Sequence, residues 1–415
     1  MDGSGLSWNP QQQGALDRAR RWLDAPVRAE SQVFRMFGYA GVGKTTLART
    51  LAQHAGPGVL AAAYTGKAAH VLTQKGLPAQ TIHSLIYDPA GMDNRKEAAL
   101  RLELSQLEQV QEAEPNPLTE QRIEALQHAI EKARASAQMR WTLKEYSDLA
   151  DASLLILDEV SMVDEEVARD LLSFGVRVLC LGDPAQLPPV RGAGFFMDAE
   201  PDVLLTEVVR QAADNPILAL ATAAREGRSI PYGEWETAAG SARVVRRVGA
   251  ESAQTADQII CGTNRKRQSI NARMRQLKGM LGYDMPQPGE RLICLRNDRE
   301  RGLLNGQMWG VLDRDGPVWS PGDEAVDLWL QEEGSDRVEH LLVEAPGLLD
   351  EAQLSKWPLA AQMTWGYAVT VHKAQGSEWG RVLMFDDWPG SGEERQRWLY
   401  TGLTRAAREL VLVRE

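Results

Sequence analysis

Apolar and polar positions fall in blocks along this chain, and the blocks predict strands and helices in alternation. Val33 to Phe37 is a short apolar run that predicts a buried strand, and Thr46 to Ala52 carries the mixed pattern of a helix. Ala61 to Tyr64 predicts the next strand, with a short helix from Ala68 to Gln74 behind it. Leu154 to Leu157 and Val176 to Leu181 are continuous apolar runs, the pattern of parallel strands covered on both faces. This β–α–β rhythm predicts an α/β fold built on an open parallel sheet.

Between residues 94 and 138 the period changes. Leu100, Leu104, Leu107 and Val110 recur at helical spacing, and Pro115-Asn116-Pro117 breaks the run. Thr119 then reads as a helix cap before a narrow stripe of Ile123, Leu126, Ile130, Ala133 and Ala137. The pattern predicts an antiparallel helical hairpin with arms about 30 Å long, inserted into the first sheet domain. The second half repeats the β–α pattern more faintly, with a strand at Gln258 to Cys261 and a loop at Gly262-Thr263-Asn264. Gly289 to Leu348, rich in Gly, Val and Trp and carrying the turn signal Asp315-Gly316-Pro317, predicts a small β-barrel. Thr364 to Val371, Arg381 to Phe385 and Leu410 to Val413 return to strands.

Composition adds the scale. A chain of 415 residues exceeds one ordinary core and implies two or more domains, while 43% hydrophobic and 25% charged residues describe a folded globular protein. No run of about 18 apolar residues predicts a transmembrane helix. Met1 to Trp8 lacks the basic and apolar regions of a secretory signal. Cys180, Cys261 and Cys294 make neither a metal spacing nor a disulfide framework, which fits a reducing cytoplasm.

The net charge of −11 argues against a polyanionic partner until its location is considered. Asp313 to Glu351 holds twelve acidic and two basic residues, a net of −10 that leaves the rest of the chain at −1. Cys261 to Tyr283 has no acidic residue and carries Arg265, Lys266, Arg267, Arg273, Arg275 and Lys278. Such a segment is either a local surface for nucleic acid or a solvated helix face.

The candidate chemistry starts at Gly38-Tyr39-Ala40-Gly41-Val42-Gly43-Lys44-Thr45, which fits the phosphate-binding loop G-x-x-x-x-G-K-[ST] between a strand and a helix. Its backbone N–H groups converge on phosphates at a helix N-terminus. Lys44 reaches the β/γ oxygens, and the Thr45 hydroxyl ligates Mg²⁺. Asp158-Glu159 follows a buried strand, so Asp158 is placed to hold Mg²⁺ and Glu159 to orient the attacking water. Gln186, in the rigid loop Gly182 to Val190, is a candidate γ-phosphate sensor.

The order of motifs resembles superfamily 1B DNA helicases of the RecD and Dda type. Asp158 to Asp164, Gly182 to Val190 and Leu205 to Gln211 are similar to helicase motifs II, III and IV. Tyr367 to Trp379 resembles motif V, and Tyr400-Thr401-Gly402-Leu403-Thr404-Arg405-Ala406 motif VI. Thr65 to Ala69 and Thr81 to Ser84 resemble the single-strand-contacting motifs, and Asn9-Pro10-Gln11-Gln12 the adenine-reading Q-motif. The likeness spans nearly the whole chain.

It implies two RecA-like parallel-sheet domains in tandem, at 1–87 with 142–205 and at 206–284 with 352–415. The helical hairpin at 88–141 would be inserted in the first, and an SH3-like β-barrel at 285–351 in the second. ATP with Mg²⁺ would lie between the two domains. Gln12 and the loop residues Gly38 to Thr46 would hold the nucleotide, and Glu378 its ribose. Lys44, Glu159, Gln186, Arg210 and Arg405 would be catalytic, the two arginines as fingers on the γ-phosphate. Thr65, Lys67, His83, Thr263, Asn264, His372, Lys373 and Ser377 would hold single-stranded DNA. The expected activity is ATP-driven 5′-to-3′ translocation and unwinding of forked duplex by a compact, monomeric motor. The alternatives are a translocase that does not separate strands and a nucleotide-gated DNA clamp. The helical insertion replaces the β-hairpin pin common in the family, so the strand-separating element is open, and either insertion is a candidate dock for protein partners.

Overall fold

The protein is described by a computed structural model. It covers residues 7–26, 28–89, 141–188, 194–209, 214–298, 301–314, 320, 323–355 and 360–414, plus isolated positions between 100 and 126. Helix α1 (Pro10–Asp24) opens the chain, and a capping box starts it. The Asn9 side chain accepts from the Gln12 N–H at 2.7 Å while the Gln12 side chain accepts from the Asn9 N–H at 3.1 Å.

Six strands make the first sheet: β1 (Val33–Gly38), β2 (Val59–Ala63), β3 (Ala79–Thr81), β6 (Leu154–Asp158), β7 (Val178–Gly182) and β8 (Val203–Leu205). Between β3 and β6 the chain forms a two-stranded ribbon of β4 (Tyr87–Pro89) and β5 (Trp141–Leu143). The sheet order is β3-β2-β6-β7-β1-β8, every pair parallel. Helices α2 (Lys44–Ala55), α3 (Gly66–Gln74), α4 (Ile82–Ile86) and α5 (Glu165–Ser173) belong to this half. Leu154 to Leu157 are fully buried because helices cover both faces. The C-terminal ends of β1, β7 and β6 are neighbours, so the loops that follow them share one edge of the sheet.

The second half starts with α6 (Pro216–Arg225) and the hairpin β9 (Gly233–Thr237) and β10 (Gly240–Val245), followed by β11 (Gln258–Cys261) and α7 (Asn264–Leu277). An antiparallel sheet of β12 (Arg291–Cys294), β13 (Met308–Val311), β14 (Ala325–Glu332), β15 (Val338–Glu344) and β16 (Met363–Trp365) intervenes. The parallel sheet then resumes with β17 (Ala368–Thr370), β18 (Trp379–Phe385), α8 (Gly392–Leu403) and β19 (Ala406–Val413). Its order is β17-β11-β18-β19-β10-β9, with only the edge pair β9–β10 antiparallel.

The apolar run Thr364 to Val371, expected as one strand, is split between two sheets at Gly366. A side chain there would press on the Leu292 backbone at 3.0 Å. The antiparallel sheet therefore takes its last strand from beyond residue 351. The expected helical hairpin lies mostly outside the described residues. Those described between 100 and 126 are helical apart from Asn116, and Arg122 pairs with Glu103 at 2.9 Å. Among the described residues, no helix is long and apolar enough to cross a membrane.

Of the six basic residues from Cys261 to Tyr283, Arg265, Arg273 and Lys278 stay exposed, and two turn inward. Arg275 turns inward to Glu290 at 2.8 Å and lies over the Trp365 ring at 3.8 Å. Arg267 turns inward to Glu351 at 2.7 Å. Both carboxylates lie between residues 290 and 351, so part of the charge asymmetry is an internal seam joining α7 to the antiparallel sheet.

Candidate nucleotide site and nucleic-acid face

The loop after β1 turns at two glycines in the left-handed region, Gly41 at φ 77° and Gly43 at φ 85°, where a Cβ would be strained. Gly43 is the N-cap of α2. The loop carries its own cation: Lys44 Nζ donates to the Gly38 carbonyl at 2.5 Å and the Tyr39 carbonyl at 3.0 Å. Gln12 braces the loop from outside, its Nε2 donating to the Val42 carbonyl at 3.0 Å. With both ends of its amide engaged, Gln12 here positions the loop. Gln11 bridges to the segment after β8, accepting from the N–H groups of Thr206 and Glu207.

Asp158 ends β6, separated from β1 only by β7, and Glu159 follows it. Glu159 is the only non-glycine with positive φ among the described residues, at 53°, a strained conformation of the kind that collects at active sites. Burial raises the pKa of both carboxyls. Against it, Asp158 accepts its neighbour's N–H at 2.9 Å and feels Lys44, while Glu159 feels Arg405 and then Lys44. Two half-buried acids, a threonine hydroxyl and loop amides form a donor set that suits Mg²⁺ and phosphate. Among the described residues no group of three or more His, Cys, Asp or Glu side chains gathers as a metal cage. Gln186 Oε1 is buried without a hydrogen-bond partner. A buried carbonyl left in that way is costly unless a ligand or water donates to it.

Arg405, 5% exposed, comes from the other half. Nε donates to the Thr401 carbonyl at 3.0 Å, Nη1 to the Ser377 carbonyl at 3.1 Å and Nη2 to Thr404 Oγ1 at 3.2 Å. These bonds hold a guanidinium whose charge acts on Glu159 across the cleft. Arg210 lies outside the described residues. Glu378 is engaged elsewhere, paired with Lys75 at 2.7 Å.

The residues expected to grip a strand fall in three places. Thr65 caps α3, accepting from the Ala68 N–H at 3.2 Å, and Lys67 Nζ sits 4.0 Å from the centre of the Trp379 ring. Burial lowers the Lys67 pKa to about 8. The loop between β12 and β13 reaches this place: Leu304 packs on Gly66, and Asn305 accepts from Lys373 Nζ. His83 lies farther along, 5.7 Å from both the Tyr64 and Tyr87 rings. Thr263 caps α7, donates to Asp387 at 2.8 Å and neighbours Asn264, which accepts from Arg267 Nε. His372 lies 5.4 Å from the Trp388 ring, and burial lowers its pKa. Ser377 is nearly buried, beneath Arg405.

Several participants had no role assigned from sequence. Asp387 holds Gly262 and Thr263 after β18, and a signal existed, since an acid at a strand end is the pattern that marked Asp158. Asp183, Gln375, Tyr400 and Thr401 bond across the cleft, and no local pattern marks such partners.

A phosphate loop after β1, an acid pair at the end of β6, one strand removed in the same parallel sheet, and an arginine from a second, mostly parallel sheet define a two-sheet nucleoside-triphosphatase architecture. The comparisons agree with it. Residues 17–247 match the AAA domain family and residues 366–413 the UvrD-like helicase C-terminal domain. The first match covers more than half of the chain, and the chain belongs to the AAA domain family. It is 31% identical over 280 residues to the ATP-dependent RecD2 DNA helicase of Deinococcus radiodurans, covering 62% of this chain and 36% of that protein. The matched region thus spans about a third of that relative's length. The Pif1 helicase from Bacteroides in complex with ADP-AlF3 and ssDNA superposes with a TM-score of 0.52 at 17% identity, covering 98% of this chain and 92% of that one. A Pif1 structure for unwinding at forked dsDNA gives 0.51 at the same identity and coverage. These likenesses show a shared fold, and together with the family matches they bear out the resemblance to superfamily 1B helicases.

Proposed function

We propose that the chain is an ATP-driven motor that moves 5′ to 3′ along single-stranded DNA and separates forked duplex. The observation that carries this is the convergence of Lys44, Asp158, Glu159 and Arg405, from two parallel sheets, on one cleft. The domains take the boundaries expected above, with the last strand of the antiparallel sheet added from residues 363–365. Thr45 and Asp158 hold Mg²⁺, which supplies charge neutralisation on the phosphate oxygens. Glu159 orients the attacking water, Gln186 accepts from that water through its unpaired carbonyl, and Lys44 leaves its loop carbonyls for the β/γ oxygens. Arg405, with three of its five N–H groups tied to protein, offers the others to the γ-phosphate. Arg210 serves as its partner cation.

Hydrolysis becomes motion because the strand is held by both halves. Thr65, Lys67 and His83 hold it from the first, and Thr263, Asn264, His372, Lys373 and Ser377 from the second, so opening and closing the cleft ratchets it. DNA must displace Leu304 and Asn305 from Gly66 and Lys373 to reach these groups. The test is ATP hydrolysis with Mg²⁺, with and without single-stranded DNA. Stimulation by DNA, weakening as salt rises, supports the motor. Hydrolysis indifferent to any nucleic acid refutes it.

A further inference from the structure

The loop after β7 is a member of the first half by sequence and of the second half by packing. Ala185 and Leu187 are buried in the core cluster that holds Ile217, Leu399 and Leu403. Leu187 is pinned twice, its N–H donating to Thr401 Oγ1 and its carbonyl accepting from Gln375 Nε2, each at 2.9 Å. Asp183 is fixed by the Ala185 N–H at 3.0 Å and by the Tyr400 hydroxyl at 2.6 Å. The same hydroxyl accepts from the Ala40 N–H of the phosphate loop at 2.7 Å. One buried phenol thus ties together the phosphate loop, the Gln186 loop and α8, the helix just before Arg405. Burial and the facing Asp183 raise its pKa, so it stays a donor.

We propose that Tyr400 is a positioning residue: its hydroxyl sets the spacing between the phosphate loop, Gln186 and Arg405, so that full-rate hydrolysis requires α8 to be seated on both loops. The inference rests on the ATP-driven reading above and goes beyond it, because the Tyr400 hydroxyl is engaged by protein groups, Asp183 and the Ala40 N–H. Gln375 lies in the same segment as His372, Lys373 and Ser377, so a strand bound there acts on the Gln186 loop through Leu187.

The test compares Tyr400→Phe, Asp183→Asn and the double variant in the full chain. Asp183→Asn keeps the shape but cannot accept from both Ala185 and Tyr400. Each single change is expected to lower the DNA-stimulated kcat about tenfold, the rate equivalent of one unmade buried hydrogen bond. KM for ATP should move less than about twofold, and the ratio of stimulated to basal rate should fall. The double variant should be no slower than the poorer single, because both break one chain of bonds. A merely structural tyrosine would scale basal and stimulated rates together.

Hydrogen exchange of the peptide spanning residues 37–43, without nucleotide, gives a readout independent of catalysis. It should quicken in Tyr400→Phe. Unchanged kcat and ratio, or effects that multiply in the double variant, overturn the proposal. If Tyr400→Phe does not fold, the kinetics of Asp183→Asn alone decide between these outcomes. A parent chain that hydrolyses no ATP overturns the motor function instead, and the exchange result then decides the relay, with unchanged exchange overturning it.

Discussion

Lys44 spends its ammonium on the carbonyls of its own loop, and that shapes what its removal does. Lys44→Ala loses both the loop brace and the cation for the transferring phosphoryl, so ATP hydrolysis should fall to background. Glu159→Gln keeps the side-chain shape and should bind ATP while hydrolysing it poorly. Arg405→Ala should cut hydrolysis about 10³-fold or more, the scale of an arginine finger. Steady-state rates alongside nucleotide affinity check all three, and parent-rate turnover in Glu159→Gln would remove it as the water-orienting group.

Lys67 adds a pH signature. Burial beside Trp379 brings its pKa down to about 8, so the free protein loses this charge as pH rises through that value. Strand phosphates restore the charge, so binding takes up a proton above pH 8 and affinity should fall from pH 7 to pH 9. Fluorescence anisotropy with labelled single-stranded DNA should show this fall in the parent and a shallower one in Lys67→Gln. Parallel pH profiles would count against a Lys67 contact.

At the scale of elements, continuous apolar runs were legible because a parallel strand covered on both faces needs no polar position, as in Leu154 to Leu157. The β9–β10 hairpin was not, since its edge strand is largely exposed and polar, Gly233 to Thr237. The break at Gly366 was hidden because its cause, the Leu292 backbone, is far away in sequence. The inward turn of Arg267 and Arg275 was hidden for the same reason, as their countercharges Glu351 and Glu290 arrive from another element. Since Arg275 and Glu290 are almost fully buried, removing one partner leaves a bare charge. Arg275→Met should destabilise the second half by about 3–5 kcal/mol in denaturant unfolding, with Glu290→Gln recovering part of the loss. A cost below about 1 kcal/mol would show that the seam is not structural.

The stretch from residue 94 to 138 has its own test. β4 and β5 pair side by side, with Pro89 opposite Trp141, so a short Gly/Ser linker can close the gap the segment leaves. Its replacement should preserve DNA-stimulated ATPase and impair duplex separation, if the segment guides the fork. Unimpaired unwinding would remove that role, and lost ATPase would make the segment part of the motor.

Across the whole molecule, the candidate site was legible wherever a motif is local, as in Gly38 to Thr45 or Asp158-Glu159. It was not legible where function depends on two halves meeting. Ala40 and Tyr400 are 360 residues apart, and Leu187 and Thr401 are 214 apart. Such contacts come from the docking of the two sheets, which no periodicity encodes. In the proposed motor, the same contacts would let closure be sensed in both halves. The most direct measurement of the central claim is unwinding, with ATP and Mg²⁺, of duplexes carrying a single-stranded tail on either the 5′ or the 3′ side. Strand release is expected from the 5′-tailed substrate, little from the 3′-tailed one, and none with Lys44→Ala. Release from the 3′-tailed substrate alone would contradict the polarity, and release from neither, with DNA-stimulated hydrolysis intact, would contradict strand separation.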